Sequence, residues 1–205
     1  MKEYDQVGSK YRKTRSPDIG VADVLSLIEQ FGRKVSVLDL GCGNGFPIAV
    51  AAHRHASHYV GIDSSEILAE EFTSNVLGAE ILIVSMDEVD LSGRKFDFVF
   101  GFGSVFHLPP ERQRKALRKA ADVVELGGVL MFTSSKEDGY CTGNVAGVTV
   151  PHWSLGEDGY VELLESCGLS YKGWKMASGE NCMFIFNKKS ANKSSKPGAE
   201  KRAVF

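Results

Sequence analysis

An α/β fold, with a doubly wound, mostly parallel sheet and helices on both faces, follows from three features of the sequence. Short runs rich in Val, Ile and Phe alternate with amphipathic helical patterns along most of the chain. A glycine-rich turn, "DLGCGNG" at 39–45, directly follows the first such run. The next run ends in an acid, Asp63, roughly twenty residues beyond that turn.

Each element has its own local signal. Residues 17–32 open with Pro17 and Asp18, space Val21, Val24, Leu25 and Ile28 at helical intervals, and stop at Gly32, which predicts a helix. "VSVLDL" (35–40) predicts a buried strand, "PIAVAAHRHA" (47–56) a helix and "YVGID" (59–63) the next strand. The segment 64–78 reads as a helix capped by Ser64 or Ser65 and ended by Gly78. "EILIVS" (80–85) and "FDFVFGF" (96–102) are too short for core helices and predict strands. Pro110 occupies the favoured first position of a helix over 110–126, and "GGVLMFTSS" (127–135) returns as a strand. Residues 135–155 read as irregular and 157–168 as the final helix. "LSYKGWKM" (169–176) and "NCMFIFNKK" (181–189) close the fold as an antiparallel pair at one edge. One domain over 1–188 is expected, and the tail 189–205, rich in Ser, Lys, Gly and Pro, reads as disordered and basic.

The 205-residue chain carries a formal charge of −2, which gives no general pull toward nucleic acid or acidic membranes. Its four cysteines, Cys42, Cys141, Cys167 and Cys182, lie far apart without C-x-x-C spacing and read as reduced thiols. The polar N-terminus lacks the apolar core of a signal peptide, and no stretch approaches the ~18 apolar residues of a membrane span. A soluble cytoplasmic protein, monomer or homodimer, is expected.

The glycine turn carries the first chemical signal. Gly41, Gly43 and Gly45 permit positive φ and remove every Cβ, so a flat or extended ligand can lie against the main chain beyond the strand ends. Asp63 stands where a carboxylate accepts hydrogen bonds from ribose hydroxyls. A dinucleotide and an adenosyl compound both satisfy these features. The dinucleotide fingerprint is G-x-G-x-x-G, however, whereas this run is G-x-G-x-G with Phe46 in the place of the last glycine, which argues against a pyrophosphate.

From about residue 4 to residue 188 the chain resembles the class I S-adenosylmethionine-dependent methyltransferases. "VLDLGCGNG" is similar to that family's first motif, "YVGIDSSEIL" to its second, "SMDEVDL" to its adenine-binding segment, and "FDFVFGFGSVFHLPPERQRKALRKAADVVELGGVLMF" to its fourth strand, following helix and fifth strand. The resemblance implies a seven-stranded Rossmann-like sheet with an antiparallel last strand, S-adenosylmethionine as cofactor and S-adenosylhomocysteine as product. It places Asp63, with Ser64 beside it, at the ribose, Met86 on the adenine ring and Asp87 at its exocyclic amine. The cofactor's positive charges would face carbonyls at Gly41 and near Gly101, next to Phe102, with Asp39 supplying a negative field beneath the loop. The N-terminal "YDQVGSKYRKTR" resembles a segment that folds over the cofactor, so Tyr4 and Tyr11 are either lids or anchors of the first helix.

The family's amino-directed nucleic-acid and protein enzymes carry an Asn/Asp-Pro-Pro-aromatic stretch after the fourth strand. Here that place reads "GFGSVFHL", which implies a small-molecule acceptor, not a nucleic acid, with oxygen weighed slightly ahead of nitrogen. Residues 135–155 are the insertion most able to build an acceptor pocket. His107 and His152 are candidate general bases, because imidazole titrates near neutrality. His107 can equally cap a helix, and His152 can equally fix its loop. Phe106, Tyr140 and Trp153 can line an apolar acceptor pocket, although core packing accounts as well for Phe106. His53, His55 and His58 are too irregularly spaced for a metal site, and no metal is expected. Two other functions fit parts of the pattern: a noncatalytic adenosylmethionine-binding protein and, less well, a dinucleotide oxidoreductase.

Overall fold

The computed structural model describes residues 16–145, 147–179 and 181–189. Tyr4, Tyr11 and nearly all of the C-terminal tail therefore lie outside the described residues. The elements are α1 (Val21–Ile28), β1 (Val35–Leu40), α2 (Ile48–Ala52), β2 (Ala56–Asp63), α3 (Glu66–Asn75), β3 (Glu80–Ile83), β4 (Phe96–Gly101), α4 (Pro110–Val123), β5 (Val124–Ser134), β6 (Asp138–Val145), β7 (Val148–Leu155), α5 (Gly156–Ser166), β8 (Leu169–Met176) and β9 (Cys182–Lys188).

Seven strands form one sheet in the order β3-β2-β1-β4-β5-β9-β8. β1 to β5 pair in parallel, and β9 inserts antiparallel between β5 and β8. The predicted doubly wound sheet with an antiparallel last strand is thus the observed one. Strand alternation explains its two covered faces. Leu38 and Leu40 of β1 pack with Leu117 and Ala120 of α4 and Leu163 of α5. Val35 and Val37 face the other way, toward Val24 and Ile28 of α1, Ala49 of α2 and Phe72 of α3. Asp39 shares that second face, and its charge is met by the Tyr59 hydroxyl, which donates to Oδ2 at 2.8 Å.

Residues 138–155 depart from the irregular reading. They form an antiparallel hairpin in which Tyr140 opposes Trp153 and Cys141 opposes His152. Smaller differences fall at element ends: β2 starts three residues earlier than "YVGID", α4 stops at Val123, and β5 takes over at Val124. Of the two serines that could cap α3, Ser65 does so, its Oγ accepting from Leu68 N–H.

Candidate cofactor and acceptor site

The glycines of the first turn prove to have different jobs. Gly41 has φ +76°, and a Cβ there would stand 2.5 Å from Ser104 Cβ, so the backbone must stay bare where β1 meets the turn after β4. Gly43 also has positive φ, and its N–H donates to Asp63 Oδ2 at 2.8 Å. Gly45 is a packing position: a Cβ there would meet Val76 Cγ2 of the α3 end at 2.6 Å. Cys42 fills the space left by Gly61, where a Cβ would be 2.7 Å from its sulfur, and burial pushes its thiol pKa well up. A protonated, enclosed thiol of this kind is filler.

A cleft of about 530 Å³, open solvent included, lies at the carboxyl ends of β1, β2 and β4. Gly41, Gly43, Asp63, Ser64, Met86 and His107 all line it. Asp63 is held from both sides, with Gly43 N–H on Oδ2 and Ser65 N–H on Oδ1 at 2.9 Å. Burial raises its pKa, and these two amides pull in the opposite direction. Asp39, Gly45 and Phe102 line a second, smaller cleft that shares Gly41 with the first. Gly101 is covered by the turn that follows it, its absent Cβ facing Val105 and Ser104.

Asp87 is almost fully buried, and Arg112 grips it with Nε on Oδ2 at 2.7 Å and a second nitrogen on Oδ1 at 2.8 Å. Ser85 also donates to Oδ1, and the Arg112 and Ser85 hydrogen bonds together outweigh burial and hold the carboxyl below the usual aspartate pKa. The sequence reading missed Arg112. Its signal was a cation two residues into a helix that starts at Pro110, close behind the acidic "SMDEVD" segment.

His107 is 4 % exposed, and its Nδ1 lies 3.1 Å from the carbonyl of Pro151 on β7. A carbonyl can only accept, so Nδ1 carries the proton and the lone pair of the neutral ring sits on Nε2. The His107 and His152 rings are 4.8 Å apart, and Phe106 touches both. His152, Phe106, Tyr140 and Trp153 line a further pocket of about 580 Å³, open solvent included, against the hairpin. The two histidines thus stand where the cleft and the hairpin pocket approach each other.

A buried network that sequence reading did not foresee fastens the hairpin in place. Gln113 Nε2 donates to the carbonyls of Leu108 and Trp153, and its Oε1 accepts from the Tyr160 hydroxyl. All of these side-chain groups are enclosed, so each bond replaces one that water can no longer supply.

His152 Nε2 is buried and has no hydrogen-bond partner among the described residues. Burial lowers its pKa below the ordinary 6.5, so protons favour the unfolded chain, and stability present above that value is lost as pH falls through it. His152→Phe should therefore raise stability at pH 8 by roughly 1 kcal/mol, the low end for relieving an orphaned buried polar atom. It should also flatten the loss on acidification. Urea unfolding of both proteins at pH 8 and pH 5.5 tests this, and an unchanged acid sensitivity would refute it.

Comparison with known proteins places this geometry. Residues 37–128 match the methyltransferase domain family. A curated relative, the sarcosine/dimethylglycine N-methyltransferase of Halorhodospira halochloris, is 27% identical over 124 residues, which cover 57% of this chain and 43% of the relative. The match thus spans less than half the length of that relative. Among solved structures, the CcbJ methyltransferase from Streptomyces caelestis superposes with a TM-score of 0.74 at 14% identity, over 92% of this chain and 98% of that one. The Burkholderia thailandensis 1,6-didemethyltoxoflavin-N1-methyltransferase, solved with that compound and S-adenosylhomocysteine bound, gives 0.66 at 18% identity, over 92% and 87%. The methyltransferase-domain match covers less than half of the chain, and the fold is the one seen in solved S-adenosylmethionine-dependent methyltransferases. No helix among the described residues is long and apolar enough to cross a membrane.

Proposed function

We propose that this chain transfers the methyl group of S-adenosylmethionine to an oxygen or nitrogen of a small molecule, through a catalytic domain spanning residues 1–188. The observation that carries the reading is one cleft in which a bare Gly41 backbone, Asp63, Met86 and His107 converge. Gly41 lines that cleft, its backbone kept bare by the close approach of Ser104.

Asp63 accepts from the ribose hydroxyls through the lone pairs its two amide partners leave over, with Ser64 beside it. Met86 packs on the adenine ring. Asp87 fixes the Ser85–Met86 turn through Arg112 and, having lone pairs to spare, accepts from the exocyclic amine. Gly41, Gly101 and Phe102 border the methionine end, with Asp39 as the negative charge beneath it. The bound cofactor supplies an activated methyl group. The protein's remaining task is to orient an acceptor in line and exclude water.

The hairpin pocket, lined by Phe106, Tyr140 and Trp153, holds the acceptor. His107 Nε2 takes the acceptor's proton, and His152 packs behind it. A hydroxyl acceptor and a protonated primary or secondary amine both have to lose a proton, so the geometry serves either. The enzymes whose names identify nitrogen acceptors, for sarcosine and didemethyltoxoflavin, add weight to nitrogen.

Parallel calorimetric titrations with S-adenosylmethionine, S-adenosylhomocysteine and NAD test the cofactor assignment. Saturable binding of both adenosyl ligands and none of NAD is expected. Binding of NAD alone would transfer the cleft to a dinucleotide.

A further inference from the structure

The hairpin pocket has a charge character that its aromatic rings do not reveal by themselves. Glu137 and Asp138, at the entry to β6, line it together with Tyr140, Trp153 and Asn181, and among the described residues no Lys or Arg does. Among the described residues neither acid enters an ion pair. The adjacent cation, Lys136, is turned elsewhere, 3.7 Å from Glu157 and 5.1 Å over the ring of Trp174. Tyr140 and Trp153 oppose each other across the hairpin with ring centroids 5.3 Å apart, yet Tyr140 remains 61 % exposed. A tyrosine held in place while showing most of its surface has an open π-face to offer. His152 adds no compensating positive charge at neutral pH, because burial favours its neutral form.

Two carboxylates beside two aromatic faces, with no Lys or Arg among the described residues lining the pocket, attract organic cations: the acids supply the field and the rings supply the quadrupole. We propose that the hairpin pocket selects a methyl acceptor carrying a positively charged amine, held by Glu137 and Asp138 against Tyr140 and Trp153. This rests on reading the hairpin pocket as the acceptor site. The charged amine is the recognition handle and is independent of which atom is methylated. A neutral or anionic acceptor of the same shape forfeits the field and meets repulsion, respectively.

The test is calorimetric titration of the full chain, preloaded with S-adenosylhomocysteine, with 2-phenylethylamine, 2-phenylethanol and 3-phenylpropionate. These share an aromatic body and differ in charge. The amine is expected to bind at least about tenfold tighter than the alcohol, with the carboxylate weaker still. The double variant Glu137→Gln, Asp138→Asn changes two exposed side chains, and it should erase that preference while leaving S-adenosylhomocysteine binding as it was. If S-adenosylhomocysteine binds but the amine binds no better than the alcohol, or not at all, this inference alone falls. A preference that survives the double variant also overturns it. If S-adenosylhomocysteine itself fails to bind, the cofactor reading falls and takes this inference with it.

Discussion

Asp63→Ala is expected to weaken S-adenosylmethionine binding by about 1.5–3 kcal/mol, roughly 10- to 150-fold, the range for losing hydrogen bonds to a charged group. Two losses combine in that figure. The ribose loses its acceptor, and Gly43 N–H, 2.8 Å from Oδ2, loses the partner that fixes the middle of the glycine turn. Asp63→Asn separates them. Its single carbonyl can still accept from one amide, so it should retain the turn better than alanine and bind more tightly than the alanine variant. Because burial raises the Asp63 pKa, wild-type affinity should begin to fall on acidification at a higher pH than an ordinary carboxylate would dictate. The sign is fixed: protonation removes acceptor strength from the cleft, so affinity drops as pH drops. Calorimetry across pH on the three proteins measures both effects, and an alanine variant of unchanged affinity would remove Asp63 from the site.

The legibility of that residue has a physical basis, and so does the illegibility of others. Asp63 sits at the end of β2, whose buried run "YVGID" leaves a carboxylate only where the strand meets solvent or ligand. The central strands announce themselves in the same way, since burial on both faces requires continuous apolar runs. β6 and β7 have no such requirement. Nearly every residue of β6 is exposed, and β7 contains Pro151, so neither composition nor alternation separates them from a loop. Their pairing is decided by what they rest on: Trp153 O held by Gln113, and Pro151 O held by His107. Those are contacts across 40 and 44 positions of chain, which no local pattern encodes. The distinction among the glycines was hidden for the same reason. Gly41 faces Ser104 and Gly45 faces Val76, and only the folded neighbours show what each absent Cβ makes room for. Asp87 was singled out as the acceptor for the adenine amine, but its tie to Arg112 spans 25 positions and becomes visible only when α4 is docked.

His107→Ala should lower kcat by roughly 10²- to 10⁴-fold, the usual contribution of a positioned general base, while leaving S-adenosylmethionine affinity within about twofold. The hydrogen bond from Nδ1 to Pro151 is what makes the ring suited to the task, since it leaves the basic lone pair on Nε2. It also ties His107 to the hairpin, so on the proposed reading acceptor and base are held by one element. A purely structural histidine at this position predicts something different. Its removal would open a cavity beside Phe106 and His152 and loosen the hairpin, raising the acceptor KM and lowering stability in proportion. His107→Gln discriminates between the two. Its amide can still donate to Pro151 O and fill most of the space, but it cannot take up a proton near neutral pH. A glutamine variant with near wild-type melting and acceptor KM but a collapsed kcat identifies the base. Restored kcat in the same variant would make His107 a brace for the hairpin, and the proton would then have to leave by another route.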